Sequence, residues 1–163
     1  MITALWHRGE VPANIPISQV YGILINNDGK ILLFKDGESF SLPGGRPETS
    51  DDGIEGTLRR EVIEEVNVTI DTPYMIGYRL IDEENGKEPY AQVRMTALIK
   101  EIGQARPDSA YGRTYKRYLV TPPKAIELLD WKDDGEAQIL SAVEAAKKHL
   151  NISWCTDDKI IEV

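Results

Sequence analysis

The segment from Gly53 to Val66 most restricts how this chain can fold, because it predicts an amphipathic helix with acidic residues beside its apolar stripe. Apolar side chains recur at positions 54, 58, 62 and 66, and these positions span about 120° of a helical wheel. Glu61, Glu64 and Glu65 share one patch of the same wheel. Glu65 lies at the border of the stripe, so we expect its charge to be partly desolvated when the stripe is buried.

The rest of the pattern predicts a mixed β-sheet with two or three helices, an α/β (α+β) sandwich. Runs of β-branched and apolar residues bounded by turn residues predict strands, and Asp28-Gly29 predicts a hairpin. The predicted strands are Ile2–Trp6 at an edge, Ile17–Asn26, Ile31–Lys35, Tyr74–Ile81, Tyr90–Ile99 and Tyr115–Val120, and the further helices are Lys124–Leu129 and Gly135–Leu150. We expect residues 1–163 to form a single domain, since a chain of this length buries enough surface to fold without disulfides.

The charge balance limits the classes of partner. Asp and Glu outnumber Lys and Arg by 27 to 19, and the net charge of −8 opposes general nucleic-acid binding. Small nucleotides are still compatible, because a bound divalent cation reverses the local field. No apolar run is long enough for a signal peptide or a membrane span, so we expect a cytoplasmic protein that binds no membrane. The lone cysteine, Cys155, is expected to be a partly buried, unreactive thiol.

The three glutamates of the predicted helix indicate either a cation site or a solvated acidic face. Like charges at this spacing cost about 0.2–0.5 kcal/mol per pair on an exposed helix, and a hard divalent cation would offset that cost. Taken alone, the spacing favours the acidic face, because surface helices are rich in glutamate. The preceding Gly44-Gly45 favours a ligand site, since backbone without side chains can approach a ligand closely.

Residues Gly45 to Val68 (GRPETSDDGIEGTLRREVIEEVNV) resemble the Nudix box, whose pattern is G-x5-E-x7-R-E-U-x-E-E-x-G-U, with U an apolar residue. The run from Arg60 to Val66 matches the central part in full, and Leu42 to Gly45 resemble the segment that usually precedes the box. The predicted order of strands and helices also agrees with a Nudix fold. The resemblance therefore implies a Nudix-like αβα sandwich with a mixed central sheet.

Three departures from the box affect the loop and the end of the helix. Six residues rather than five separate Gly45 from Asp52, Asp52 stands where the family has Glu, and Asn67 stands where it has Gly. In the family, that Glu pairs with the Arg of the box, so we expect Asp52 to pair with Arg60, with Glu48 as a second candidate. Asn67 is a mild change, because Asn tolerates the left-handed conformation of a helix C-cap.

The resemblance implies an enzyme that hydrolyses the pyrophosphate of a nucleoside diphosphate linked to another moiety, with water attacking phosphorus. Glu61, Glu64 and Glu65 are the implied ligands of Mg²⁺, with Mn²⁺ as an alternative cation. Arg60 is implied to orient them through its fixed fork of donors. Gly45 is implied to offer a carbonyl ligand or to shape the metal pocket.

Basic and aromatic residues near the later loop, Gln104 to Lys116, are candidates for substrate binding. Three of these residues are predicted to contact phosphate or to stack on a base of the substrate: Arg113, Tyr115 and Arg117. Arg46, which follows the glycine pair, is also predicted to contact phosphate. The alternative for the strand residues is a solvated sheet edge, where Lys and Arg discourage aggregation.

The general base is left open between a box glutamate and Glu101. Asp108 is the one acidic residue of the later loop, but its position before Ser109 is more typical of a turn. Arg79 and Arg94 fall on central strands, where strand alternation allows either a cleft-facing or a core position. The three tryptophans are predicted to pack in the core, and neither histidine is predicted to be catalytic.

Two functions fit these residues: a Nudix hydrolase, or a non-catalytic module of the same fold that binds a nucleotide. The full set of three box glutamates favours the hydrolase. Candidate substrates are nucleoside triphosphates including oxidised ones, nucleoside diphosphate sugars such as ADP-ribose, and dinucleoside polyphosphates. The edge segment Ile2–Trp6 leaves room for a homodimer.

Overall fold

The computed structural model describes residues 1–163 apart from the side chain of Asp133, and these residues build a mixed sheet between helices. Its strands are β1 (Thr3–Arg8), β2 (Ile17–Ile25), β3 (Ile31–Asp36), β4 (Ser39–Ser41), β5 (Gly44–Gly45), β6 (Val68–Ile70), β7 (Tyr74–Asp82), β8 (Tyr90–Ile102), β9 (Lys116–Val120) and β10 (Ile161–Glu162). Its helices are α1 (Gly53–Val66), α2 (Pro122–Leu129) and α3 (Asp133–His149).

The sheet runs in the order β1-β7-β8-β2-β3-β9-β10, with β4, β5 and β6 as short additions to β3, β2 and β8. Strands β2 and β8 are parallel, and the other neighbours are antiparallel. The mixed sheet predicted from the sequence is therefore confirmed. The parallel pair puts the start of β2 at the centre of the sheet, next to the glycine pair of β5.

The core consists of two apolar clusters, one on each face of the sheet. On β2, Val20 and Leu24 belong to the cluster that includes the stripe of α1. The alternate residues Ile23 and Ile25 belong to the cluster formed with α2 and α3. This division follows from the two-residue period of a strand, and it gives the predicted α/β/α layering.

Local predictions agree with the structure in most elements. Helix α1 has the predicted bounds, and the predicted hairpin pairs Ile25 with Ile31 around Gly29, which has a φ of +80°. The short strands β4, β5, β6 and β10 are not among the predicted strands, and Cys155 is exposed rather than partly buried. In the part of the chain that the structure describes, no helix is both long and apolar enough to cross a membrane.

Candidate active site

Strand β5 consists of two glycines, and it brings helix α1 into contact with the backbone of the sheet. A Cβ on Gly45 would collide with the carboxyl group of Glu61, and a Cβ on Gly44 would collide with the backbone of β2. The N–H of Gly44 donates to Oε1 of Glu65 at 3.1 Å. The glycine pair therefore allows two of the helix carboxylates to lie directly against the main chain.

The three glutamates of α1 differ in their exposure to solvent. The side chain of Glu64 is 40% exposed and that of Glu61 is 18% exposed. Burial raises the pKa of Glu65 to about 7, and the charge of Glu61 adds to this rise, while the Gly44 hydrogen bond opposes it. Burial also raises the pKa of Glu61, against the effect of its contact with Arg60. Clustered and desolvated carboxylates of this kind favour a cation that stabilises their charged forms.

Arg60 is the centre of the polar network around these carboxylates. Its Nε and Nη2 donate to the two carboxylate oxygens of Asp51 at 2.7 and 3.0 Å. Its Nη1 donates to Glu61 at 2.8 Å and to Glu64 at 3.2 Å, and Nη2 also donates to the carbonyl oxygen of Arg46 at 2.8 Å. The hydrogen bond with Asp51 is the main reason why the pKa of Arg60 lies above its usual value. This geometry supports the orienting role predicted for Arg60.

Asp51 braces Arg60, and the expectation that Asp52 would do so is wrong. Asp52 is the N-cap residue of α1 and its side chain makes no capping hydrogen bond, while Glu48 lies 3.6 Å from the guanidinium. Asp51 also accepts hydrogen bonds from the Glu48 N–H and the Thr57 hydroxyl, both at 2.8 Å. The Arg60 hydrogen bond holds the pKa of Asp51 well below its usual range. Five residues separate Gly45 from Asp51, as in the box pattern, so the additional residue of this chain lies in the sequence between Asp51 and Arg60.

Asn67, the other departure from the box, links the end of α1 to the later loop. It adopts the left-handed conformation expected of a C-cap, with φ 51° and ψ 54°, and its N–H donates to the carbonyl oxygen of Ile63. Its side-chain Nδ2 donates to the carbonyl oxygen of Gln104 at 2.9 Å. Glycine could provide the conformation but not this second bond, so the substitution adds a contact between helix and loop.

The loop between β8 and β9 contributes Asp108 to the wall of the site. This residue is 7% exposed, and its carboxylate accepts the N–H of Tyr111 at 2.6 Å. Burial acts to raise the pKa of Asp108, but hydrogen bonds from the Tyr111 N–H and the Tyr115 hydroxyl outweigh it, and the pKa is lowered. Asp108 therefore forms the turn that its sequence context indicates and also faces the glutamates.

These elements surround an open cleft of about 520 Å³. It is lined by Gln19, the glycine pair, Arg46, Glu61, Glu64, Glu65 and the segment from Asp108 to Tyr111. The cleft thus brings together Gly45, Arg46 and the three glutamates predicted from the sequence.

Arg113, Tyr115 and Arg117, which were predicted to bind substrate, lie outside the lining of this cleft. Arg113 forms a surface ion pair with Asp36 at 3.3 Å. Tyr115 is 9% exposed and packs on the ring of Phe34, with ring centroids 4.8 Å apart. Arg117 is 3% exposed, and its Nη1 donates to the carbonyl oxygen of the last residue of α1 at 2.7 Å. Strand alternation turns Tyr115 and Arg117 toward the core, so their placement supports structural roles.

Other candidates also lie away from the glutamates. Glu101 is exposed on β8, opposite Thr69 of β6, and it does not line the cleft. His149, which is not predicted to be catalytic, stacks on Tyr74 with ring centroids 4.3 Å apart and does not line the cleft. Arg94 is buried against α3, where its Nε donates to Oε1 of Gln138 at 2.8 Å.

The donor set of the cleft fits a hard divalent cation. Among the side chains that the structure describes, no three acidic, histidine or cysteine residues already converge on one metal position, while Arg60 engages Glu61 and Glu64. The available donors are nevertheless all oxygen atoms, and a Cβ at residue 45 would occupy the space beside Glu61. Carboxylate and carbonyl oxygens are the ligands that Mg²⁺ and Mn²⁺ prefer.

Comparison with protein families gives an independent result. The family model described as NUDIX domain matches residues 16–143. Comparison with curated proteins gave no match.

Solved structures with the same fold cover most of this chain. The Bacillus subtilis pyrophosphohydrolase BsRppH, in a mutant form, is 16% identical with a TM-score of 0.67, and the match covers 91% of this chain and 93% of that chain. The NUDIX domain of Shewanella oneidensis NrtR, complexed with ADP ribose, is 20% identical with a TM-score of 0.59 and coverages of 81% and 89%. A structure from work on MutT of Aliivibrio salmonicida and Vibrio cholerae is 18% identical, with a TM-score of 0.56 and coverages of 77% and 96%.

Proposed function

The chain belongs to the NUDIX domain family, and on that premise we propose that it is a divalent-metal-dependent hydrolase that cleaves the pyrophosphate linkage of a nucleoside diphosphate joined to another moiety. The family match covers most of the chain, so the Nudix fold and the assignment to the Nudix hydrolases are confirmed. The family generally uses divalent cations and binds small nucleotides. The cation, the substrate and the roles of individual residues are our proposals for this chain.

The observation that carries the proposal is the convergence of the box on one open cleft. Glu61, Glu64 and Glu65 line it together with Gly45 and Arg46, and its volume of about 520 Å³ accommodates a small nucleotide. An anionic diphosphate would meet three carboxylates here, so productive binding requires a cation between them. An acidic surface helix, the alternative explanation of the spacing, would not place Glu65 under the backbone of β5.

The chain's own residues can be assigned roles around this cation. Glu61, Glu64 and Glu65, with the carbonyl oxygen of Gly45, would hold Mg²⁺ or Mn²⁺, which when bound supplies positive charge to phosphate oxygens and lowers the pKa of water. Arg60 positions two of these carboxylates, because its Nη1 donates to Glu61 and Glu64 while its Nε is held by Asp51.

Two further roles concern substrate and proton transfer. Arg46 lines the cleft and is proposed to pair with a phosphate oxygen of the substrate. A box glutamate, rather than the exposed Glu101, is proposed to accept the proton of the attacking water, because Glu101 does not reach the cleft.

A hydrolysis screen tests the proposal directly. The protein is incubated with Mg²⁺ or Mn²⁺ and a panel of dNTPs, 8-oxo-dGTP, ADP-ribose, UDP-glucose and diadenosine polyphosphates, and products are resolved by chromatography. Glu65→Gln is the test variant. Glu55→Gln is the matched control, because Glu55 lies on the same helix but pairs with Arg59 outside the cleft.

We expect metal-dependent cleavage that is lost in Glu65→Gln and kept in Glu55→Gln. A second readout, calorimetric titration of Mn²⁺ into the protein without nucleotide, should show binding that Glu65→Gln weakens. If no panel member is cleaved while a nucleotide still raises the melting temperature, the proposal fails and the chain is a nucleotide-binding module. Equal loss in both variants would also contradict the roles assigned here.

A further inference from the structure

A second cavity of about 180 Å³ lies next to the active-site cleft, on the face of the sheet that packs against α3. Its lining includes Tyr21, Leu42, Arg79, Gln92, Arg94 and Trp131. We call it the side pocket. A hydrogen bond between two glutamines joins its lining to that of the cleft: Nε2 of Gln92, in the side pocket, donates at 2.8 Å to Oε1 of Gln19, which lines the cleft. One part of a ligand could therefore occupy the cleft while another part occupies the side pocket.

Arg94 is the unusual residue of the side pocket, because it is 2% exposed and still charged. Its Nε donates to Gln138 at 2.8 Å, and its Nη1 donates to the carbonyl oxygen of Gln92 at 3.3 Å. The nearby Asp134 pairs with Arg79 instead, at 3.4 Å, and no carboxylate whose position the structure describes forms an ion pair with Arg94. Burial of a cation that the described carboxylates leave without an ion pair is costly, and a bound ligand that accepts its hydrogen bonds would offset that cost.

Two aromatic rings lie close to the guanidinium of Arg94. Its Cζ lies 4.6 Å from the ring centroid of Tyr21 and 5.3 Å from that of Trp131. A guanidinium has five N–H donors and no acceptor, and two of these donors are already used by Gln138 and Gln92. The remaining N–H groups lie in one plane and suit a partner that presents two acceptors side by side.

From this arrangement we propose that the side pocket binds a guanine base of the substrate, with Arg94 donating to O6 and N7. Guanine presents these two acceptors on one edge, whereas adenine places an amino donor beside N7 and would oppose Arg94. A phosphate could also pair with a guanidinium, but Tyr21, Trp131 and Leu42 provide apolar walls that suit a planar ring. This inference rests on the proposed function, since it places the base beside the cleft that would hold the phosphates.

The first test uses the unmodified protein and ligands that hydrolysis cannot change. GMP, IMP, 7-deaza-GMP and AMP are titrated into the protein with Mg²⁺ and their affinities are measured by calorimetry. We expect GMP and IMP to bind about tenfold or more tightly than AMP, the lower part of the range for one bidentate contact. 7-deaza-GMP, which lacks the N7 acceptor, should bind less tightly than GMP. Equal affinities for GMP and AMP would overturn the inference.

The second test separates the guanidinium fork from simple positive charge. Arg94→Lys keeps the charge but loses the paired donors, and we expect it to abolish the preference for GMP over AMP. Arg8→Lys is the matched control, because the Arg8 side chain is 63% exposed and lies outside the side pocket. Circular dichroism establishes that each variant is folded. A preference retained in folded Arg94→Lys would overturn the assignment of Arg94.

The outcomes also distinguish this inference from the proposed function. Nucleotide hydrolysis with no dependence on the base would refute the side-pocket assignment and leave the hydrolase proposal intact. A preference for GMP without turnover of any nucleotide would support the side-pocket assignment and refute the hydrolase proposal. Guanosine, which lacks a phosphate, is titrated as a further ligand with and without inorganic phosphate. Displacement of guanosine by phosphate would assign the side pocket to an anion and overturn the guanine proposal.

Discussion

Gly45→Ala is expected to weaken divalent-cation binding without weakening the fold. The added Cβ would meet only the carboxyl end of Glu61, a flexible side chain, so Glu61 should move while the backbone stays. Gly45 is absent from the glycines with positive φ, so alanine can adopt its conformation. Loss of a residue that only supports a metal ligand reduces metal affinity by about 10–100-fold, so displacement of the Glu61 carboxylate itself should cost at least as much. A compatible Gly-to-Ala change, in contrast, stabilises a protein by about 0.4–1 kcal/mol.

Gly44→Ala is the matched comparison, because the same methyl group would meet backbone instead of a side chain. It would lie 2.7 Å from Cα of Tyr21 and closer still to the carbonyl oxygen of Val20, and neither can move without distorting β2. Overpacking of this kind costs about 1–3 kcal/mol. Gly44→Ala should therefore lower the free energy of unfolding, while Gly45→Ala should not.

Two measurements check this pair of variants. Urea unfolding followed by circular dichroism gives the free energy of unfolding, and calorimetric titration with Mn²⁺ gives the metal affinity. Wild-type Mn²⁺ affinity in Gly45→Ala would refute the placement of Glu61 in the metal site. Equal destabilisation of the two variants would refute the distinction between side-chain and backbone contact.

Three further predictions concern the network and the core around the cleft. Asp51→Asn should reduce kcat by about 10–100-fold, whereas Asp52→Asn should keep a kcat near the wild-type value, because Asp51 and not Asp52 braces Arg60. Steady-state kinetics of both variants measures this difference. Burial and the Asp108 hydrogen bond raise the pKa of Tyr115 to about 12, so ultraviolet titration should show a tyrosine ionising there that is lost in Tyr115→Phe. Because this folded-state pKa exceeds the ordinary value of about 10, the associated stability is complete below pH 10 and is lost as the pH rises through about 12. Arg117→Met should lower the free energy of unfolding by about 1.5–3 kcal/mol, measured in urea, because the α1 carbonyl loses a charged donor.

Each of these predictions has an outcome that would contradict it. Equal kcat losses in Asp51→Asn and Asp52→Asn would mean that the loop is not held by a single carboxylate. Unchanged titration near pH 12 in Tyr115→Phe would assign that ionisation to another tyrosine. Wild-type urea stability in Arg117→Met would show that the buried guanidinium contributes nothing to the end of α1.

The helix and its chemistry could be read from local spacing. The stripe of α1 and the patch of Glu61, Glu64 and Glu65 follow from the geometry of one helix, which is independent of where the rest of the chain goes. The glycine pair is likewise informative by itself, because residues without a Cβ allow close approach in any context. These local features were enough to predict the family and the fold. The position of Arg46 directly after the glycine pair was likewise enough to predict that it lies at the site.

Pairings between segments could not be read in the same way. Asp51 and Asp52 are adjacent and chemically identical, and only the path of the loop decides which carboxylate faces Arg60. Basic composition near β9 indicated a binding surface, but strand alternation and the position of α1 turn Arg117 inward. The direction of a side chain on a strand depends on what covers each face of the sheet, and this information is not local.

The sequence by itself therefore determined the features that depend only on the geometry of one helix or one turn: α1, its carboxylates, the glycine pair and the left-handed Asn67. Tertiary structure alone decided which residues from distant segments meet. It placed Asp108 in the same cleft as the glutamates and buried Arg94 close to Tyr21 and Trp131, because these contacts join segments that are far apart in the chain. Their geometry depends on the packing of the whole sheet between its helices, which no single stretch of sequence encodes.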